Sequence, residues 1–337
     1  MDALKNIINT HGFALADGAT GTNYFMTGLE AGYPPELWSV EKPDIVGGLH
    51  GAFIAAGSDI VLTNSFGGTS YRLKLHNAQD RVGELNQAAA RLARREATRA
   101  KEENGKEVIV AGSIGPTGEL FSPLGTLTET EAKAAFTSQA EALAEGGVDM
   151  LWIETISAFD EMFAAIDAAQ STGLPVAATM TFDTAGKSMM GVAPADFADQ
   201  VGQRGVVALG ANCGVGPAEL IDSVLLMKPE VGEAWRIAKG NCGIPGFADG
   251  QIHYHGTPEL MAEYACIARD AGVAIIGGCC GTTPDHIKAM REALDTRPKQ
   301  EVTPDRVLAT LGKAWKDLDT DKNQARGKQR TRRGRRG

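Results

Sequence analysis

The strongest constraint on the fold is a repeat: a short apolar run followed by a helix-length stretch, eight times over about 285 residues. The runs cover 13–16, 59–63, 108–112, 150–153, 176–180, 206–213, 235–238 and 274–276. The main helical stretches between and after them cover about 42–56, 80–103, 129–145, 159–170, 194–203, 217–227, 258–270 and 284–294. Several runs are apolar without alternation, which is the pattern of parallel strands covered on both faces. A doubly wound sheet is the competing α/β architecture. Eight successive units in one chain of 337 residues instead predict a single closed (β/α)8 TIM barrel over 1–296. A further helix is expected within 297–316, with Val307, Leu308, Leu311 and Trp315 on one stripe. The segment 317–337 is polar and then basic, a composition expected to lack fixed structure.

A barrel of this kind carries its active site at the C-terminal ends of its strands. That rule brings Asp17, Thr63, Phe66, Glu154, Cys213, Cys279 and Cys280 to one rim. Asp17 opens a glycine-rich turn, Asp17-Gly18-Ala19-Thr20-Gly21, directly after the first run. Cys213 ends the sixth run, and the adjacent Cys279 and Cys280 follow two glycines after the eighth. An isolated cysteine is more often a small buried side chain than a ligand. Three at equivalent strand ends, each beside glycine, read as a soft-metal site. Neighbours in a regular strand face opposite ways, so Cys279 and Cys280 share an ion only where the strand stops. Three thiolates suit Zn²⁺ and leave its fourth position open, the arrangement of a catalytic site. Zn²⁺ with three thiolates carries a net charge of about −1, a weak activator of water but a good holder of a substrate thiolate. The expected chemistry is therefore activation of a thiol.

Three segments carry a resemblance to a known family: Asp17-Gly18-Ala19-Thr20-Gly21-Thr22, Gly210-Ala211-Asn212-Cys213, and Gly277-Gly278-Cys279-Cys280-Gly281-Thr282-Thr283-Pro284. Together they resemble the homocysteine S-methyltransferases, over about residues 17–294. The resemblance implies a zinc-dependent barrel that methylates homocysteine to methionine, with Cys213, Cys279 and Cys280 as zinc ligands. It also implies that Glu154 binds the homocysteine amino group and that Asp17 and Gly18 line the amino-acid site, with Thr63 and Phe66 beside them. The Trp38 loop and Ser188-Met189-Met190-Gly191-Val192 look closest to bacterial betaine–homocysteine enzymes. Betaine is accordingly the favoured donor, ahead of S-methylmethionine, dimethylsulfoniopropionate or a corrinoid protein in trans. A quaternary ammonium donor would sit against aromatic faces, for which Tyr33, Trp38, Phe66 and Tyr71 are candidates. Where the animal betaine enzymes carry tyrosines after the Phe66 and Glu154 positions, this chain has Gly67 and Thr155.

The remaining features point elsewhere or nowhere. Five cysteines, two of them adjacent, do not make a disulfide framework. Cys242 and Cys266 lack the strand-end setting and are expected to be structural. His253 and His255 have metal-hydrolase spacing but fall before the seventh helix, so no ligand role is assigned to them. Without a run of about 18 apolar residues or a signal-peptide pattern at its first residues, the chain is expected to be cytoplasmic and to have no membrane partner. The overall charge of −9 includes eight basic residues and no acid in 322–337, so the preceding 321 residues carry −17. That tail makes nucleic-acid or membrane-surface binding the rival reading from a different class, against which the acidic body argues. The barrel is expected to end the chain without an attached folate or cobalamin domain. The segment after Leu294 is a candidate arm for a homo-oligomer.

Overall fold

The computed structural model describes residues 2–228, 234–243, 245–248 and 251–315. The strands are β1 (Ala14–Leu15), β2 (Ile60–Leu62), β3 (Ile109–Ile114), β4 (Met150–Ile156), β5 (Val176–Met180), β6 (Ala208–Cys213), β7 (Trp235–Gly240), β8 (Pro245–Ala248), β9 (Gln251–Tyr254) and β10 (Ile275–Gly278). Eight of them form one parallel sheet in the order β1-β10-β7-β6-β5-β4-β3-β2. A parallel bridge between Ala16 and Ile60 joins the two ends. The predicted (β/α)8 TIM barrel is the fold observed. Most expected helices differ by two residues or fewer at either end, and 129–145, 159–170 and 258–270 coincide with observed helices.

Alternation along the strands builds two cores, because successive side chains face opposite sides of a sheet. Ala14, Ala16, Ile60, Leu62, Ile109, Ala111, Met150, Trp152, Ala177, Ala208, Ile237 and Ile275 pack together inside the barrel. Their neighbours Leu15, Val61, Val110, Leu151, Ala178 and Leu209 face outward into the helical layer. An unexpected helix, Asp2–His11, adds Leu4 and Ile8 to the inner cluster and closes the N-terminal end. The next inward positions along β3, β4 and β7 are Ser113, Glu154 and Lys239, which turn polar where the site begins.

Two further departures bear on the site. The segment after β7 folds back as an antiparallel hairpin of β8 and β9 before the helix Pro258–Asp270. The helix expected within 297–316 spans Pro304–Leu311 and stops at Gly312 (φ 84°). Val307 and Leu311 pack on the outer core, whereas Leu308 is exposed. Trp315 lies beyond the helix, where its indole nitrogen donates to Asp222 at 2.8 Å. Residues 317–337, including the basic tail, lie outside the described residues.

Candidate metal and thiol-binding site

Cys213, Cys279 and Cys280 come together at the C-terminal mouth, with their sulfurs within 4.8 Å of one another. Tetrahedral zinc with sulfur at about 2.3 Å needs sulfurs about 3.8 Å apart, so small adjustments suffice. Cys213 reaches this position through a left-handed backbone (φ 61°), uncommon for a residue with a side chain. The loops are held by Asn241, whose amide nitrogen donates to the Gly214 carbonyl (2.6 Å) and whose oxygen accepts from the Cys280 amide (3.1 Å). The Cys279 amide donates to the Gly240 carbonyl at 2.7 Å, tying the pair to the end of β7. Hydrogen bonds among the thiols, followed by burial, push Cys213 up, while the bonds from Cys213 and Cys279 pull Cys280 well down. Cys280 is thus the thiolate of the trio and Cys213 keeps its proton until a cation displaces it, which fits a soft-metal donor set. Tyr254, at the end of β9, shares a hydrogen bond with the Cys280 sulfur.

A cavity of about 300 Å³ opens above these sulfurs. Gly18, Thr63, Phe66, Glu154 and the three cysteines line it, as do Phe25, Glu36, Ser113 and Lys239. Ser113 Oγ donates to Glu154 Oε1 at 2.5 Å and orients that carboxyl. Burial raises Glu154 to about 7, against the pull of the Lys239 ammonium. Thr63 Oγ1 shares a hydrogen bond with Ser65 (2.6 Å) and accepts from the Ser113 amide (3.0 Å), so it braces the wall. Thr155 follows Glu154 with a left-handed backbone (φ 64°), which is costly for a β-branched residue. Asn212 holds it there, accepting from the Thr155 amide (2.9 Å) and donating to its hydroxyl (2.7 Å).

Asp17 is fully buried beneath the lining. One of its oxygens accepts from the Leu62 amide and the other from Lys239 Nζ, both at 2.8 Å. Burial favours the neutral acid at Asp17, whereas Asp17, Glu154 and Cys279 together favour charge on Lys239 despite its burial. The donors decide between these tendencies. Both Asp17 oxygens already accept N–H bonds, so the pair is ionic.

The aromatic donor candidates do not all reach the cavity. Phe66 lines it, but Tyr33 points away and bonds Glu41 at 2.7 Å. Trp38 is buried against Tyr24, ring centroids 5.5 Å apart, with Lys42 on its other side. Tyr71 lines a separate open cleft with Lys74, Gln79 and Glu131. Gly67 leaves room for Glu36: a Cβ there would lie 2.8 Å from the Glu36 oxygen that accepts the Gly67 amide. Cys242 and Cys266 are buried outside the trio, Cys242 donating to the Gly256 carbonyl at 3.1 Å. Lys239, Asn212, Asn241 and Tyr254 were not singled out from sequence. Among them, a lysine at an inward position of an apolar strand was the one readable signal.

Fold and site define a class of barrel proteins with a three-cysteine cluster, able to hold a metal, opening onto a small cavity. Within it, the chain belongs to the homocysteine S-methyltransferase family, whose model matches residues 14–294. It is similar to the methionine synthase of Mycobacterium tuberculosis (strain ATCC 25618 / H37Rv), with 28% identity over 285 residues, 82% of this chain. The chain spans 24% of that relative's length. Its fold matches crystal structures of the homocysteine methyltransferase MmuM from Escherichia coli at 24% identity, covering 86% of this chain and 99% of that one. The TM-score is 0.69 for the metallated form and 0.71 for the oxidized form. Among the described residues, no helix is long and apolar enough to cross a membrane.

Proposed function

We propose that this protein transfers a methyl group to the sulfur of homocysteine, giving methionine, with zinc held by Cys213, Cys279 and Cys280. The observation that carries this reading is the cluster of three sulfurs within 4.8 Å, on the wall of a cavity that Glu154 also lines. Zinc bound there supplies a Lewis acid that keeps the substrate thiol ionised near neutral pH. Glu154 receives the substrate ammonium group, and its bond from Ser113 keeps the carboxyl aimed into the cavity. Gly18 and Thr63 form the adjoining walls. The chain's contribution is alignment of sulfur and methyl group within an enclosed space.

The outer cavity supports a small onium donor. Phe25 and Phe66 line it as aromatic side chains, and Glu36 adds a carboxyl. Betaine is the donor we favour, with S-methylmethionine and dimethylsulfoniopropionate sharing the same cationic methyl chemistry. A methylated corrinoid protein is the remaining alternative. The test combines metal analysis with methionine formation across betaine, S-methylmethionine, dimethylsulfoniopropionate and methylcobalamin. About one zinc per chain is expected, lost together with activity in Cys213→Ala, Cys279→Ala or Cys280→Ala. Full activity after complete zinc removal would overturn the proposal.

A further inference from the structure

Lys239 stands out from the proposed chemistry because nothing in methyl transfer to a thiol requires a buried ammonium. It sits at the end of β7 at 2% exposure. Its Nζ donates to Asp17 Oδ1 at 2.8 Å and to the Asp17 carbonyl at 3.3 Å. An ammonium has three donors, so one N–H remains. Among the described residues lining the cavity, Lys239 is also the one cation, where Glu36, Glu154 and three cysteines supply acidic groups.

An amino-acid thiol entering this space brings a carboxylate as well as an ammonium. Burying that carboxylate among groups of like sign is unfavourable unless a cation meets it. The two charges of an α-amino acid are one carbon apart, so their partners must be neighbours. Glu154 and Lys239 line the same small cavity, each at the polar inward end of its strand, and they present opposite signs. We infer that Lys239 anchors the α-carboxylate of the thiol substrate, while Asp17 fixes the ammonium in place. This assignment rests on the proposed homocysteine reading and makes Lys239 a specificity residue for amino-acid thiols over simple aminothiols.

The test compares L-homocysteine with 3-aminopropane-1-thiol, which lacks only the carboxylate, by calorimetric titration of the zinc-loaded protein. The wild-type protein should prefer homocysteine by about 10–100-fold, the range of one charge-assisted hydrogen bond. In Lys239→Met the preference should collapse to within about threefold through loss of homocysteine affinity alone. Because that variant leaves Asp17 buried and unpaired, the double variant Asp17→Asn/Lys239→Met is the companion, and the same collapse is expected. Equal affinity of the wild-type protein for the two thiols, or equal weakening of both in the variants, would overturn the assignment and leave Lys239 as a structural partner of Asp17. Failure of both thiols to bind the wild-type protein would remove the homocysteine reading itself, and the assignment with it.

Discussion

Glu154 combines two demands that conflict. It lies 8% exposed between Ser113 and the thiol cluster, and burial raises its pKa from 4.5 to about 7. A carboxyl with a raised folded pKa binds its proton more tightly in the fold than in the unfolded chain. Stability therefore falls as pH rises from about 4.5 to about 7, and the full penalty applies above that. Glu154→Gln removes the ionisation while keeping an acceptor for Ser113. In metal-free protein the variant should be close to wild type near pH 5 and more stable by about 3 kcal/mol at pH 8. Denaturant unfolding at the two pH values checks this, and a difference that does not grow with pH would count against the burial argument. The same substitution should weaken homocysteine binding by about 10–100-fold, since the ammonium loses a charged partner. A residue that destabilises its own fold while serving a ligand is typical of a functional position.

At the level of elements, β6 and β10 flank β7 and deliver the three cysteines proposed as metal ligands, while the hairpin after β7 adds Tyr254 from outside the barrel. A hydroxyl on a ligand sulfur and an amide clasping the ligand loops both tune a metal without touching it. Tyr254→Phe and Asn241→Ala should each retain zinc about 10–100-fold less tightly, read by competition with a chromophoric chelator. Unchanged retention in both would confine these residues to packing. The difference in legibility between them and the cysteines is physical. Cys213, Cys279 and Cys280 announce themselves because each closes an apolar run within a few residues of sequence. Asn241 acts through contacts to residues 214 and 280, and Lys239 meets Asp17 across 222 positions, so only closure of the barrel creates their roles. Gly67 is a related case: only the fold shows that Glu36 fills the space that a side chain there would need. The hairpin was hidden because its residues, rich in glycine, lack the two-sided apolar pattern of the barrel strands.

The whole molecule depends on one weak seam. β1 has two residues and meets β2 through a single bridge, whereas β6 and β7 pair along six positions. Side chains supplement the two backbone bonds across the seam, from the Asp59 amide to the Leu15 carbonyl and from the Asp17 amide to the Ile60 carbonyl. Asp59 accepts from the Leu15 amide at 2.8 Å and pairs with Arg291 of the helix Pro284–Thr296, and Asp17 accepts from the Leu62 amide. The closed seam brings Gly18 against the Thr282 carbonyl, where a Cβ would lie 2.5 Å from the oxygen, so the cavity wall and the cysteine loop meet only in the closed barrel. Asp59→Ala should cost about 2–4 kcal/mol, because it leaves a buried amide without an acceptor and Arg291 without its anion. Asp59→Asn keeps an acceptor for Leu15 and loses only the charge, so its cost should be smaller. Because Asp17, just after β1, and its partner Lys239 on β7 lie on either side of β10, a loosened seam should also weaken thiol binding in the order Ala before Asn. Urea midpoints and thiol titrations on the two variants test this, and equal effects from both would mean that the Arg291 ion pair, rather than the amide bond to Leu15, holds the barrel shut.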